Sequence, residues 1–327
     1  MSDLHQLIDA LLAVPSVRDK MRIERTYEWL GDSVSLHATA PFSAREPVRL
    51  GDDCAAIPDG IGGYTLFASE GIIPSFLNRD PWFAGYSAVM VNISDVCAMG
   101  GLPVALTNVI WTADQPGSRA VWEGMLAACR AYDVPMVGGH TCYNSDNLHL
   151  AVSIIGKAHR LLTSFDARPG ERLLIAVDMN GAYYGDYPFW NASTTASPDD
   201  LQRTLRLPHQ IAQAGWSSAA KDISMGGIIG TLAMLTQTSN VGATLNLDAL
   251  PIPPGVPLLK WLTSFPSYGY LLTVPDQHIA STLDLFARNG ITAAVVGDIT
   301  EGSRIQLRYN QQLAPFAADA FVPAQSC

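Results

Sequence analysis

Two adjacent carboxylates, Asp52 and Asp53, stand between a strand-like approach at Val48 and Leu50 and the apolar run Cys54-Ala55-Ala56-Ile57. A second acid has a similar setting in Asn92-Ile93-Ser94-Asp95-Val96-Cys97-Ala98-Met99-Gly100-Gly101. Only 15% of the residues are charged, so acids placed in apolar segments need partners. An unpaired buried carboxylate is too costly to keep and is relieved by a basic group, a proton or a metal ion. No Lys or Arg occurs in residues 50–78, which leaves the first pair without an ion-pair partner within that segment. Hard divalent cations take oxygen ligands, and Mg²⁺ is commonly held by a few carboxylates together with substrate phosphates. The two motifs therefore predict a site for Mg²⁺ and a nucleotide.

The rest of the composition narrows the class. A chain of 327 residues with 48% hydrophobic residues can bury two ordinary domains and is not a disordered polymer. Its longest apolar runs, such as Leu173–Val177, are far too short to cross a bilayer, so no membrane partner is expected. No basic segment followed by an apolar core opens the chain, and a cytoplasmic location is expected. A net charge of −10 with no basic cluster argues against nucleic acid as a partner. Five cysteines without a CxxC pair exclude a zinc ribbon and disfavour a disulfide framework. Cys54 and Cys97 read best as small buried packing residues.

Periodicity predicts an amphipathic helix over Asp3–Val14 and further helices over residues 20–30, 82–99, 118–132, 199–214 and 227–238. Strand patterns cover residues 48–57, 64–69, 103–111, 148–157, 173–177, 243–247, 270–274 and 293–296. The order β-β-α-β-α-β in the first half favours an α+β layer with helices on one sheet face. The Pro/Gly-containing segment 166–172 is the expected domain boundary, separating residues 1–165 from 166–327.

Several residues are candidates for chemistry, each with a plainer alternative. Asn92 and Asp95 stand at i and i+3 and share one face of a largely apolar helix. That pair suits a nucleotide–metal site, or bonding to neighbouring backbone. Glu70 ends a strand pattern before Gly71, as a ligand or as a solvated strand-end acid. In Val137-Gly138-Gly139-His140-Thr141 the glycines admit a phosphate to backbone N–H groups or make a tight turn. His140 is either a phosphate donor or a satisfied core histidine. Lys221-Asp222-Ile223-Ser224-Met225-Gly226-Gly227 precedes an apolar helix, with Ser224 as a plausible cap and Gly226 and Gly227 amides free to hold a phosphate. No GxxxxGK[ST] occurs, and no GxGxxG follows a strand and opens a helix. A triphosphate bound here must have its charge neutralised by metal ions held on an acidic cluster.

These segments resemble, in order and spacing, the motifs of the AIR synthase superfamily. Gly51–Ile57 resembles the GDDxAxI opening of thiamine-monophosphate kinase. Asn92–Pro103 is similar to the NxSDxxAMGGxP segment shared by that kinase and selenophosphate synthetase, and Gly138–Thr141 to a GG-[DHE]-[ST] segment. Residues 222–226 resemble D-[IV]-S-D-G, with Met225 where the second Asp stands. The resemblance implies a two-domain AIR synthase-like α+β architecture, each domain a mixed sheet covered by helices, and a homodimer paired through the N-terminal domains. It also implies Mg²⁺ and ATP as cofactors, with metal on Asp52, Asp53, Glu70, Asp95 and Asp222. Asn92, Gly138, Gly139, His140, Thr141, Ser224 and Gly226 would bind the nucleotide. The implied activity is phosphoryl transfer to a small-molecule acceptor. Thiamine-monophosphate kinase and a non-catalytic nucleotide-binding module are the alternatives; His140 and Met225 depart from the kinase. The terminal Cys327 matches, in position alone, the reactive thiol of a hydrogenase-maturation branch, and a functionless tail is the plainer reading.

Overall fold

The computed structural model describes residues 3–21, 33–34 and 47–316. Most of the expected 20–30 helix and Cys327 lie outside them. Pro74–Arg79 (α3) and Pro81–Ala98 (α4) are the first long-range organisers after the N-terminal Asp3–Ala13 (α1) and Pro15–Lys20 (α2). Asp80 accepts a hydrogen bond from the Phe83 amide at 3.3 Å, and Pro81 occupies the first turn of α4. Gly100, at φ 72°, follows the helix end, as its sequence position suggests.

Ser33–Val34 (β1) pairs with Val48–Arg49 (β2). Ala55–Pro58 (β3), Tyr64–Gly71 (β4), Leu102–Trp111 (β5), Met136–Cys142 (β6) and His149–Ala158 (β7) form a five-stranded sheet in the order β3-β4-β7-β5-β6. Only the β5–β6 pair is parallel. α4 and Gln115–Tyr132 (α5) cover one face, where Leu66, Leu106, Ile110, Leu150 and Val152 are buried. The other face carries the exposed Phe67, Trp111 and Ile155. The alternation along β7, buried Leu150, Val152 and Ile154 against outward Ala151, Ser153 and Ile155, is the period of a sheet covered on one side only.

In the second half, Arg172–Val177 (β8) is followed by a small sheet of Ala182–Tyr183 (β9), Phe189–Asn191 (β10) and, later, Phe265–Pro266 (β13). Ala219–Asp222 (β11), Gly242–Asn246 (β12), Gly269–Val274 (β14), Thr292–Thr300 (β15), Ile305–Tyr309 (β16) and Gln312–Phe316 (β17) join β8 in a seven-stranded mixed sheet. Its order is β11-β14-β8-β15-β12-β16-β17. Both of its faces are covered, so β8 reads as the continuous apolar run Leu173–Val177. Leu174 and Ala176 join the core shared with α4, α5, Pro198–Thr204 (α6), Leu207–Ala214 (α7) and Ile279–Arg288 (α10). Leu173, Ile175 and Val177 join a second core with α1, Gly227–Ser239 (α8) and Leu258–Thr263 (α9).

The sequence and the structure differ where tertiary pairing decides. The single helix expected over 199–214 is two, because Pro208 sits in the first turn of α7 and cannot donate to a preceding carbonyl. Residues 136–142 form a strand rather than a turn. The strand expected over 48–57 is split by the irregular residues 50–54, which carry the first acid pair.

Candidate active site

A cleft of about 720 Å³ opens between the two halves. The Gly51–Ala55 turn, β4 and α4 form one wall, and residues 221–225 at the end of β11 form the facing wall. Carboxylate oxygens of Asp53, Asp95 and Asp222 converge there to within 4.8 Å of one another. They come from a turn, a buried helix and a strand end.

The first acid pair splits its duties. Asp52 Oδ1 accepts the Asp53 amide at 2.9 Å and its Oδ2 accepts the Ser164 amide at 2.8 Å, so Asp52 shapes the turn and ties it to the interdomain segment. Asp52 is not one of the three converging carboxylates. Asp53 does meet a base: Lys221, 168 residues away, donates to Asp53 Oδ1, with both side chains nearly buried. The expectation of no ion-pair partner within residues 50–78 holds, and the fold supplies one from outside that segment. The partner is remote in sequence and comes through the fold.

Burial dominates the electrostatics of this floor. Burial and the neighbouring Asp222, Glu70 and Asp53 push the Asp95 carboxyl well above its ordinary range. Burial, then Asp53, raises Asp222 to about 7. Asp52 rises to about 6 through burial and the adjacent Asp53. Desolvation between the cleft walls, then Asp53, raises Glu70 at the end of β4, with Lys20 acting in the opposite sense. Burial alone would lower the Lys221 ammonium, but Asp53, Asp52 and Asp222 outweigh it and hold Lys221 protonated. With all three converging acids ionised and Lys221 charged, the floor carries two net negative charges. Asp53 Oδ2 and Asp95 Oδ2 are buried with no hydrogen-bond partner among the described residues. Three oxygen donors, no soft ligand and two orphan oxygens fit a hard divalent cation such as Mg²⁺.

The remaining sequence candidates fall in other places. Asn92 is fully buried; its Nδ2 donates to the Ala88 carbonyl at 2.8 Å, and it does not line the cleft. Asn92 and Asp95 are about 60° apart around α4, but the cleft ends at Asp95 and Asn92 falls just beyond it, so the pair does not act together there. Gly138, Gly139, His140 and Thr141 lie on β6, an edge strand, and do not line the cleft. A Cβ on Gly139 would come within 1.9 Å of Asn108 Oδ1, so close packing of β6 against β5 accounts for that glycine. His140 pairs in register with Val109 and is exposed on the uncovered sheet face. Ser224 and Met225 line the cleft. Ser224 does not cap α8: Gly226 occupies the cap position at φ 93°, with no side-chain cap. Burial pushes the Cys97 thiol up to about 12 and Cys54 well above its ordinary value, the behaviour of packing residues. Lys20 and Lys221, both cleft residues, were missed as site residues. Lys221 had one signal, its place next to Asp222 in an otherwise apolar strand.

The sequence and the fold match known proteins. Residues 51–158 match the family described as AIR synthase related protein, N-terminal domain, and residues 176–310 match its C-terminal domain. The chain belongs to the AIR synthase related protein family. Among the relatives of this AIR synthase related protein is the uncharacterized protein sll0787 of Synechocystis sp., 43% identical over 82% of this chain and 83% of the relative. The thiamine-monophosphate kinase of Salmonella typhimurium is 27% identical over 77% of this chain and 83% of its own length. The structure of T. maritima PurL complexed with ATP superposes with a TM-score of 0.69 at 20% identity, covering 81% of this chain. The chain spans 45% of that larger protein. At that identity the likeness establishes the two-domain α+β architecture.

Proposed function

We propose that this AIR synthase related protein binds ATP with Mg²⁺ in the interdomain cleft and transfers a phosphoryl group to a small-molecule acceptor. One observation carries the reading: Asp53, Asp95 and Asp222 converge with two buried oxygens that have no partner. Asp53, Asp95 and Asp222 would hold the cation, and Glu70 would serve it from the cleft wall. The cation supplies charge neutralisation for the phosphates, the main need of a loose phosphoryl-transfer transition state. The chain's own residues orient the two substrates and exclude water between the halves. The kinship with thiamine-monophosphate kinase and with PurL, which binds ATP, supports the same reading. Residues 1–165 and 166–327 are taken as the two domains, with the boundary between the two matched ranges. Cytoplasmic residence accords with this use of ATP; among the described residues no helix is long and apolar enough to cross a membrane.

The acceptor is distinct from thiamine monophosphate on this reading. Met225 stands at the cleft where the kinase pattern has Asp, and a thioether cannot ligate Mg²⁺. Met225 also favours a second reading, a nucleotide-binding module that has lost its chemistry. A homodimer is the third element. The uncovered sheet face, with Phe67, Trp111 and Ile155 exposed, would pair with a second copy, and His140 on that face would then lie at the subunit junction.

A thermal-shift titration tests the core of the proposal. ATP and Mg²⁺ together are expected to raise the melting temperature more than either alone, and Asp53→Asn to remove most of the increment. Equal stabilisation by ATP in wild type and variant, with or without Mg²⁺, overturns it. Turnover against a panel of acceptors separates the enzyme from the non-catalytic module.

A further inference from the structure

The deep end of the cleft holds a charge pattern that the acid motifs alone do not explain. Lys221 Nζ contacts Asp53 Oδ1, with the Lys221 side chain 3% and the Asp53 side chain 6% exposed. The same carboxylate's second oxygen, Oδ2, is buried with no hydrogen-bond partner among the described residues, as is Asp95 Oδ2. Asp53, Asp95 and Asp222 each bring one carboxylate oxygen into a group that closes to within 4.8 Å. Lys221 thus engages one oxygen of a carboxylate in that group and leaves its Oδ2 unengaged among the described residues.

Resting on the Mg²⁺–ATP reading of this cleft, we propose that Lys221 is a built-in counter-ion that occupies one cation position of the acid cluster. The deep site then takes one divalent cation, placed between Asp53, Asp95 and Asp222. The charges close on that count. Counted over Asp53, Asp95, Asp222 and Lys221, two negative charges are left, which one divalent cation neutralises, while the adjacent Asp52 carboxylate is taken up by the Asp53 and Ser164 amides. A neutral floor matters in a buried site, where an uncompensated charge is far more costly than in water. The ammonium also orders the metal-free protein, because it holds Asp53 in place before any cation arrives. Lys221 is a positioning residue here: it touches a cation ligand, and it sets how many cations the acids accept and how tightly. A lysine suits this duty better than a second metal ion, since it is covalently held and cannot be lost to dilution or chelation.

Mn²⁺ serves as the probe, without nucleotide, with binding counted by electron paramagnetic resonance and calorimetry. Wild type is expected to bind one tight Mn²⁺ per chain. Lys221→Met leaves three negative charges on the floor, and its Mn²⁺ affinity is expected to rise by roughly tenfold or more, while its metal-free melting temperature falls. Lys221→Arg keeps the charge and is expected to hold the count at one, with affinity within about threefold of wild type. A merely structural lysine predicts the opposite sign, weaker Mn²⁺ binding as the floor loosens. Unchanged or weaker binding in a folded Lys221→Met protein overturns the proposal, as does a wild-type count of two. Should Lys221→Met be unfolded without metal, recovery of its helical signal on titration with Mn²⁺ supports the proposal. Failure to recover in millimolar Mn²⁺ overturns it. A wild-type protein that binds no Mn²⁺, with or without ATP, instead sinks the underlying metal–nucleotide reading.

Discussion

The acidic floor of the cleft and the edge strand β6 carry motifs of equal prominence in the sequence, yet the fold treats them differently. Asp53, Asp95 and Asp222 are drawn from three separate elements into one buried group, because their elements border the seam between the two sheets. Gly138–Thr141 sits at the outer edge of the first sheet, exposed and away from that seam. The contrast shows that a motif's chemistry depends on which surface its element presents. Residues at the seam are desolvated and act within one chain. Residues on the open edge have a role at the site only if another surface is brought to them.

The largest expected effect breaks the floor itself. Asp95→Asn removes a carboxylate whose Oδ2 has no partner, and the Mg²⁺-dependent stabilisation by ATP is expected to fall by roughly tenfold or more in apparent affinity, read by thermal shift. Asn92→Ala, one turn away but outside the cleft, should lower stability by about 1 kcal/mol with cation affinity unchanged. Equal losses of cation binding in both variants would erase the distinction between the cleft face and the buried face of α4.

The floor should also respond to pH in a defined direction. Asp52 and Asp222 have folded-state values of about 6 and about 7, above the ordinary value of 3.8. A raised carboxyl pKa favours the metal-free fold at low pH, and that contribution is lost as pH rises from about 4 through 7. A cation on Asp95 and Asp222 must displace their protons, so Mn²⁺ affinity is expected to rise between pH 5 and 8, by up to about tenfold per unit for each proton displaced. A flat affinity across that range would show that the cation does not sit on Asp95 and Asp222.

On the open face, Ile155→Asp places a charge at the centre of the exposed sheet. The expected result is a monomer by light scattering, with Mn²⁺ binding within about threefold of wild type. Concurrent loss of the cation would mean that the two regions are not separable. The smallest effect belongs to His140→Ala, which should leave the Mn²⁺ affinity of the deep site unchanged and alter nucleotide affinity only in the dimeric protein. A change in cation binding in an Ile155→Asp, His140→Ala monomer would place His140 in the same chain's site.

Local pattern determined much of this molecule. The buried helix α4 was legible from its apolar surface and the Gly100-Gly101 stop, β8 from its unbroken apolar run, and the acids from their isolation in apolar segments. Those signals arise within a few residues of each other, where period and burial follow directly from side-chain chemistry. Edges and partners were not legible in the same way. Met136–Cys142 lacks strand alternation because it is an edge strand with glycines at its centre, and only its pairing with β5 makes it a strand. Lys221 becomes the partner of Asp53 solely because the two sheets meet at the cleft, a contact across 168 residues that no local spacing encodes. The sequence by itself determined which residues needed a partner, since desolvation cost is a property of each group. Which partner each received was decided by the tertiary structure, since that depends on which elements the folded chain brings within reach.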